Sequence, residues 1–110
     1  MVKSQSEPLD RAFAALADPT RRRLLARLAQ GPATVGALAA PEPVSLVAVT
    51  KHLGVLERAG LLGRVRAGRT VVCSLRPTPL GEAARWLEFY RTFWTARLDS
   101  LHAHLAAEGS

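Results

Sequence analysis

Val47, Thr50, Lys51, Gly54 and Arg58 lie in one stretch, SLVAVTKHLGVLERAGLL at residues 45–62, at spacings that gather them on one side of a helix. A lysine ammonium and a threonine hydroxyl can hydrogen-bond base edges or phosphates. Valine methyls can pack on a thymine methyl, and a glycine lets two surfaces approach closely. Arg58, near the end of the stretch, is better placed for a phosphate backbone than for bases. The opposite side carries Leu46, Val49, Leu53 and Leu56 at spacings of three, four and three, the stripe of a helix with one buried face. A face meant only for water fills with Glu, Lys and Gln. This one holds a bare valine and a glycine that costs roughly 1 kcal/mol against alanine in a helix interior, so it reads as a contact surface. His52 stands at the border of the apolar stripe. Its ring either packs there and bonds a backbone group or turns toward a phosphate.

No other constellation offers catalysis. The nine carboxylates are scattered, no glycine-rich phosphate loop occurs, and Ser, His and Cys form no recognisable pairing. The single cysteine, Cys73, excludes an internal disulfide and a Cys-rich zinc site. It reads as a small buried hydrophobe, with a thiol switch as the alternative. Asp99 and His102 are three apart and could share a helix face as metal ligands, whereas His104 diverges from them. No further ligand follows at the required spacing, so these side chains read as solvated. The expectation is no metal and no cofactor.

The elements that position the contact face follow from caps and breakers. Ser6, Glu7 and Pro8 precede a short helix, LDRAFAALA, with Leu9, Phe13 and Leu16 on one side. Asp18-Pro19 opens a second helix, TRRRLLARLA, which stops before Gly31-Pro32. Its Leu24, Leu25 and Leu28 face inward, surrounded by Arg21, Arg22, Arg23 and Arg27. Thr34 caps a third, VGALAA, ended by prolines at 41 and 43, and Ser45 caps the helix with the contact face. Gly60 ends that helix as a left-handed residue with Leu61 supplying the accompanying apolar contact. The period then changes to alternation in LLGRVRAGRTVVCSL, a hairpin turning at Ala67-Gly68 with Arg66 and Arg69 flanking its tip. Thr78-Pro79 caps a long final helix reaching at least Leu105.

The 110 residues form one domain, and 48% hydrophobic content marks it as folded. The start, MVKSQSEPLDR, is polar, and no apolar run approaches a membrane span, so the expectation is a cytoplasmic protein without membrane contact. The net charge of +6 is unevenly placed. Residues 1–78 hold twelve Lys/Arg against five Asp/Glu; residues 79–110 hold three against four. The basic part seeks a polyanion, nucleic acid first and an anionic membrane surface second.

A short helix, a tight connection, a helix with a basic outer face and then a basic hairpin make a winged helix-turn-helix, whose second helix can enter a DNA major groove. At this point FAALADPTRRRLLARLAQGPATVGALAAPEPVSLVAVTKHLGVLERAGLLGRVRAGRTVVCSL resembles the ArsR-type family of bacterial repressors. ALADPTRRRLL is similar to the family's second-helix signature, and SLVAVTKHLGVLERAGLL to its recognition helix. The likeness runs from about Leu9 through Leu105. It implies a homodimer that binds a partly palindromic double-stranded operator and usually represses. The DNA-reading residues it implies are Ser45, Val47, Ala48, Thr50, Lys51 and His52, with Arg66 and Arg69 in the wing. At Gly54 relatives commonly carry a basic residue, so one backbone contact differs. Many relatives sense metal through a Cys-x-Cys pair near the third helix, but TVGALAA holds no sulfur.

Five of the six aromatic residues fall in WLEFYRTFW of the last helix. Leu80, Leu87, Trp94 and Leu101 repeat every seven residues, with Ala83, Tyr90, Leu98 and Leu105 completing a seam; Trp86, Phe89 and Phe93 form a second stripe. One stripe should face the domain and the other a second copy of the chain, or a ligand pocket between copies. Relatives pair through their first and last helices, which implies a dimer contact of Leu9, Phe13 and Leu16 with Leu87, Tyr90, Trp94, Leu98 and Leu101. The expected fold is mainly α with a two-stranded β-hairpin, a dimeric winged helix-turn-helix. Its helix-turn-helix spans about 34–59, its wing about 61–75 and its dimerisation helix about 79–106. The expected function is a sequence-specific, DNA-binding repressor of its own operon with an unknown small-molecule effector. The alternatives are a repressor responding to metal through Asp99 and His102, or a dimeric protein-interaction module without specific DNA binding.

Overall fold

Helix α1 (Lys3–Leu16) holds Pro8 in its interior, which corrects the expected start after that proline. Pro8 is the sixth residue of α1, past the four N–H groups that are free at any helix start, so it leaves one ladder bond, to Ser4 O, unmade. The computed structural model describes residues 3–108. Met1, Val2, Gly109 and Ser110, the ends of the polar start and of the expected domain, lie outside the described residues.

Helix α2 (Pro19–Leu28) begins where Asp18 Oδ2 accepts the Arg21 N–H at 3.1 Å, with Pro19 at the first helical position. A two-residue strand, β1 (Ala33–Thr34), leads into helix α3 (Val35–Ala39), opened by Thr34 Oγ1 accepting from Ala37 N–H at 3.1 Å. Helix α4 (Leu46–Arg58) starts the same way, Ser45 Oγ taking the Ala48 N–H at 3.1 Å. Its end is a reciprocal pair of bonds, Gly60 N–H to Glu57 O and Leu61 N–H to Leu56 O, each 2.9 Å. The left-handed φ of +76° at Gly60 makes that pair possible without a Cβ clash.

Leu61 and Leu62 carry the chain straight into the wing. Strands β2 (Leu62–Ala67) and β3 (Thr70–Leu75) pair antiparallel, from Leu62 opposite Leu75 to Ala67 opposite Thr70. The turn is therefore Gly68-Arg69, one residue later than the expected Ala67-Gly68, with Gly68 at φ +63° supplying the backbone a two-residue hairpin needs. β1 adds to the other edge of β3, Ala33 opposite Cys73, so the sheet has three strands in the order β1-β3-β2. Two residues are too few to show a period, which is why this strand has no sequence signature.

The core sits where α2, α3 and α4 meet the base of the wing. Leu24, Leu28, Leu38, Val49, Leu53, Leu56, Leu61, Leu62 and Cys73 are all buried. Leu46 is not: at 58% exposure it corrects the apolar stripe, because the first turn of α4 extends past the edge of the core. Helix α5 (Pro77–Glu108) starts two residues before the expected 79 and ends at 108 rather than about 106. Pro77 and Pro79 both fall in its first turn, where a missing N–H breaks no bond. Its first turns pack on the domain through half-buried Leu80 and buried Ala83, and the remainder projects, giving a molecule 66 Å long.

Candidate nucleic-acid interface

The outer face of α4 is bare. Val47 is 64% exposed, Thr50 and Lys51 are exposed, and no hydrogen bond or ion pair within the described residues engages either polar side chain. Ala48 is half-buried one position round the helix. Ser45 is exposed, and its Oγ accepts from Ala48 N–H while its own hydroxyl proton is left to donate. Gly54 departs from the expected role. The Arg58 guanidinium folds back over it, 3.4 Å from where a Cβ would stand, so the absent side chain makes room for an arginine of the same helix.

His52 turns inward. Its half-buried ring puts Nδ1 3.1 Å from Arg21 Nη1 and 3.8 Å from Asp18 Oδ2. An arginine can only donate, so this contact calls for Nδ1 as acceptor and the proton on Nε2. The recognition helix is thereby latched to the N-terminus of α2. Asp18 is held below the usual carboxylate range, first by the Arg21 backbone N–H and then by the Arg21 charge, against a desolvation that pushes it up.

The arginines of α2, which give the N-terminal part much of its charge, are all engaged within the chain. Arg21 Nε donates to Ala15 O at 2.6 Å and Nη2 to Ala14 O at 3.3 Å; Arg22 Nη1 donates to Leu16 O at 2.7 Å. These carbonyls belong to the last turn of α1, where Ala14 O also accepts Ala17 N–H at 3.2 Å, so two guanidiniums cap that helix. Arg23 and Arg27 reach the Glu42 carboxylate at 2.9 and 2.8 Å. Glu42 is 3% exposed, and the Arg23 hydrogen bond holds its carboxyl below the usual range. The sequence reading missed this clamp. Its signal is a single carboxylate between Pro41 and Pro43, facing a run of arginines that must pair with something. Carbonyl partners leave the charges of Arg21 and Arg22 in place, so the long-range positive field survives although the contacts do not.

The wing offers cations at its tip. Arg66 and Arg69 are exposed; Arg69 lies in the turn, and Arg66 makes only a long 3.4 Å contact to Gly68 O. At the base, Arg64 Nε lies 3.0 Å from Glu57 Oε1, off the line of a hydrogen bond but close enough to tie β2 to the end of α4. Arg76 crosses Gly63 so closely that a Cβ there would stand 2.5 Å from its Nε. Cys73 is buried, and burial pushes its thiol up, only partly offset by Arg64, which works against a reactive thiolate. Among the described residues no three His, Cys, Asp or Glu side chains converge as a metal would need. No helix there is long and apolar enough to cross a membrane.

Residues 16–65 match the profile of a family described as a helix-turn-helix domain. Over 100 residues, 91% of this chain and 91% of the relative, the sequence is 44% identical to the HTH-type transcriptional regulator Rv2034 of Mycobacterium tuberculosis. The crystal structure of an ArsR family transcriptional regulator superposes with a TM-score of 0.74 at 39% identity, covering 81% of this chain and 98% of that one. This chain belongs to the ArsR family. It is also 32% identical to the transcriptional repressor SdpR of Bacillus subtilis over 79 residues, 72% of this chain and 88% of that protein. The winged helix of an ArsR regulator is a DNA-binding fold, and the protein is a DNA-binding transcriptional regulator.

The ArsR chain also carries a large apolar surface remote from α4. Trp86 meets Phe13 edge-on at 5.5 Å and lies tilted against Tyr90 at 4.6 Å. Leu16 packs on the chain's own core and Leu9 is half-buried. Phe13 and Leu16, expected against a partner, thus find cover within their own chain. Beyond Tyr90 neither stripe of α5 touches the domain: Phe93, Trp94, Leu98, Leu101 and Leu105 are all exposed, Trp94 by 57%. In the first turns Leu80 and Ala83 of one stripe and Trp86 of the other both touch the domain, and further along both stripes are exposed.

Proposed function

We propose that this ArsR-family regulator is a homodimeric repressor that reads a partly palindromic operator, its own operon's included, in the cytoplasm. The carrying observation is the pairing of two bare surfaces, the polar face of α4 and the uncovered apolar half of α5. A single recognition helix reads one half-site, and two need a fixed spacing of about 34–36 Å or a multiple to sit in successive major grooves. The exposed Leu87, Tyr90, Trp94, Leu98 and Leu101 supply the apolar surface such a dimer buries. The relative SdpR is a transcriptional repressor. Val47, Thr50 and Lys51 read base edges, with Ser45 and Ala48 at the helix entry and Arg66 and Arg69 on phosphates or a neighbouring minor groove. A small-molecule effector releases the operator.

The test is a titration of the DNA upstream of its own gene against a scrambled duplex, at physiological salt and with sedimentation of the complex. The reading expects a dimer on the upstream site and a specificity ratio of at least about 10³. Equal weak binding to both duplexes would make the protein a dimeric interaction module with a basic surface.

A further inference from the structure

Between the C-terminal halves of α1 and α4 lies an open cavity of about 590 Å³. Arg11, Arg21 and Arg58 line it, no carboxylate among the described residues does, and Ala14, Ala15 and Val55 form its apolar wall. Three like charges on one concave, protein-backed wall repel each other more strongly than on an open surface. Little within the chain offsets them. Glu7 stands 3.9 Å from Arg11, both side chains being exposed. Arg58 makes no hydrogen bond or ion pair among the described residues and is held over Gly54. Arg21 has its Nε, one Nη1 and one Nη2 N–H engaged, leaving two of its N–H groups to donate.

A guanidinium fork matches a carboxylate, small apolar side chains match a hydrocarbon body, and the volume is that of an ordinary small-molecule site. We propose that this cavity binds a small organic anion, a carboxylate with an apolar body, and that this is the effector site; the regulatory half rests on the repressor reading above. The anion bridges α1 and α4. Its carboxylate competes for the Arg21 guanidinium that caps α1 and latches His52, while its body touches Val55 on the helix that presents Thr50 and Lys51. It shifts operator affinity to the extent that it favours one placement of α4 over another.

The experiment uses octanoate as probe, titrated calorimetrically into the full chain without DNA. Octanol supplies the body without the charge, and inorganic phosphate the charge without the body. One octanoate per chain is expected, with octanol and phosphate at least tenfold weaker. Ala14→Trp, which fills the cavity and removes no charge, and Arg11→Ala should each weaken octanoate tenfold or more. Circular dichroism checks both folds; if the tryptophan variant fails to fold, Arg11→Ala, at a side chain 63% exposed, decides alone. Phosphate displacing octanoate at equal concentration would make the cavity a seat for a DNA phosphate and overturn the proposal. So would unchanged octanoate affinity in the folded variants. In a second arm, saturating octanoate should lower operator affinity at least fivefold in the wild type and less than twofold in Ala14→Trp. An unchanged operator affinity overturns the regulatory half. Because the first arm contains no DNA, failure of operator binding is seen separately from failure of the site.

Discussion

Arg21 and His52, thirty-one residues apart, meet at 3.1 Å between Nη1 and Nδ1 and join the N-terminus of α2 to the middle of the recognition helix. The ring therefore supports α4 from behind. His52→Ala is expected to lower stability by about 0.5–1.5 kcal/mol, the usual range for a hydrogen bond, with the ratio of operator to scrambled binding retained. Denaturant melts and paired DNA titrations on one preparation check this. A lost specificity ratio in a fully folded variant would put the ring on the bases.

Thr50 and Lys51 should behave in the opposite way. Their side chains are exposed and unengaged, so Thr50→Ala and Lys51→Ala should leave the melting curve within about 0.5 kcal/mol. Each should lose roughly 1–3 kcal/mol of discrimination against the scrambled site. Unchanged discrimination in both variants would mean that this face does not read bases.

The wing tip should contribute without regard to sequence. Replacing Arg66 and Arg69 by Ala is expected to weaken operator and scrambled DNA alike. If each wing of a dimer loses one phosphate contact, the slope of log affinity against log salt flattens by about two units. Measurement of that slope between low and physiological salt decides it, and an unchanged slope places the wing away from the backbone.

Trp94 is 57% exposed and, among the described residues, its one ring contact is edge-on with Phe93 at 5.8 Å. Trp94→Ala should therefore keep the fold of the single chain and strongly weaken the dimer, since burying a large side chain contributes roughly 1.5–3 kcal/mol and a two-fold interface counts it twice. Sedimentation and operator titration together test this. A folded monomer that binds the full operator at wild-type affinity would refute the dimer reading.

Acid should open the Glu42 clamp. With its folded carboxyl below the usual range, Glu42 stabilises the protein fully above its unfolded pKa, and this is lost as pH falls through the folded value. Glu42→Gln should be less stable than wild type at pH 7 by roughly 1–2 kcal/mol, a modest figure because Arg23 is half exposed and screened. The two proteins should converge as pH falls through the folded value, below the ordinary Glu range. Melts of both across that range supply the check.

What could be read from the chain beforehand was local chemistry. Asp18, Thr34 and Ser45 cap helices because a side-chain oxygen reaches an amide three residues on, and Gly60-Leu61 ends α4 through bonds set within six residues. Partners of long side chains are a different matter. Nothing local tells Arg21 and Arg22 to turn back to the carbonyls of α1, or Arg23 and Arg27 to share Glu42, because tertiary placement decides where a guanidinium ends. Direction on a helix was legible, yet the extent of the core was not. Leu46 points with the stripe and still lies in water, and α5 keeps two apolar stripes after the domain beneath it has ended.

The division of labour around α4 bears on how such regulators diverge. Its core stripe, its glycine end and its latch all lie apart from Val47, Thr50 and Lys51. A duplicated gene can therefore exchange those three residues with little penalty in folding, and acquire a new address on the chromosome while its scaffold is inherited intact.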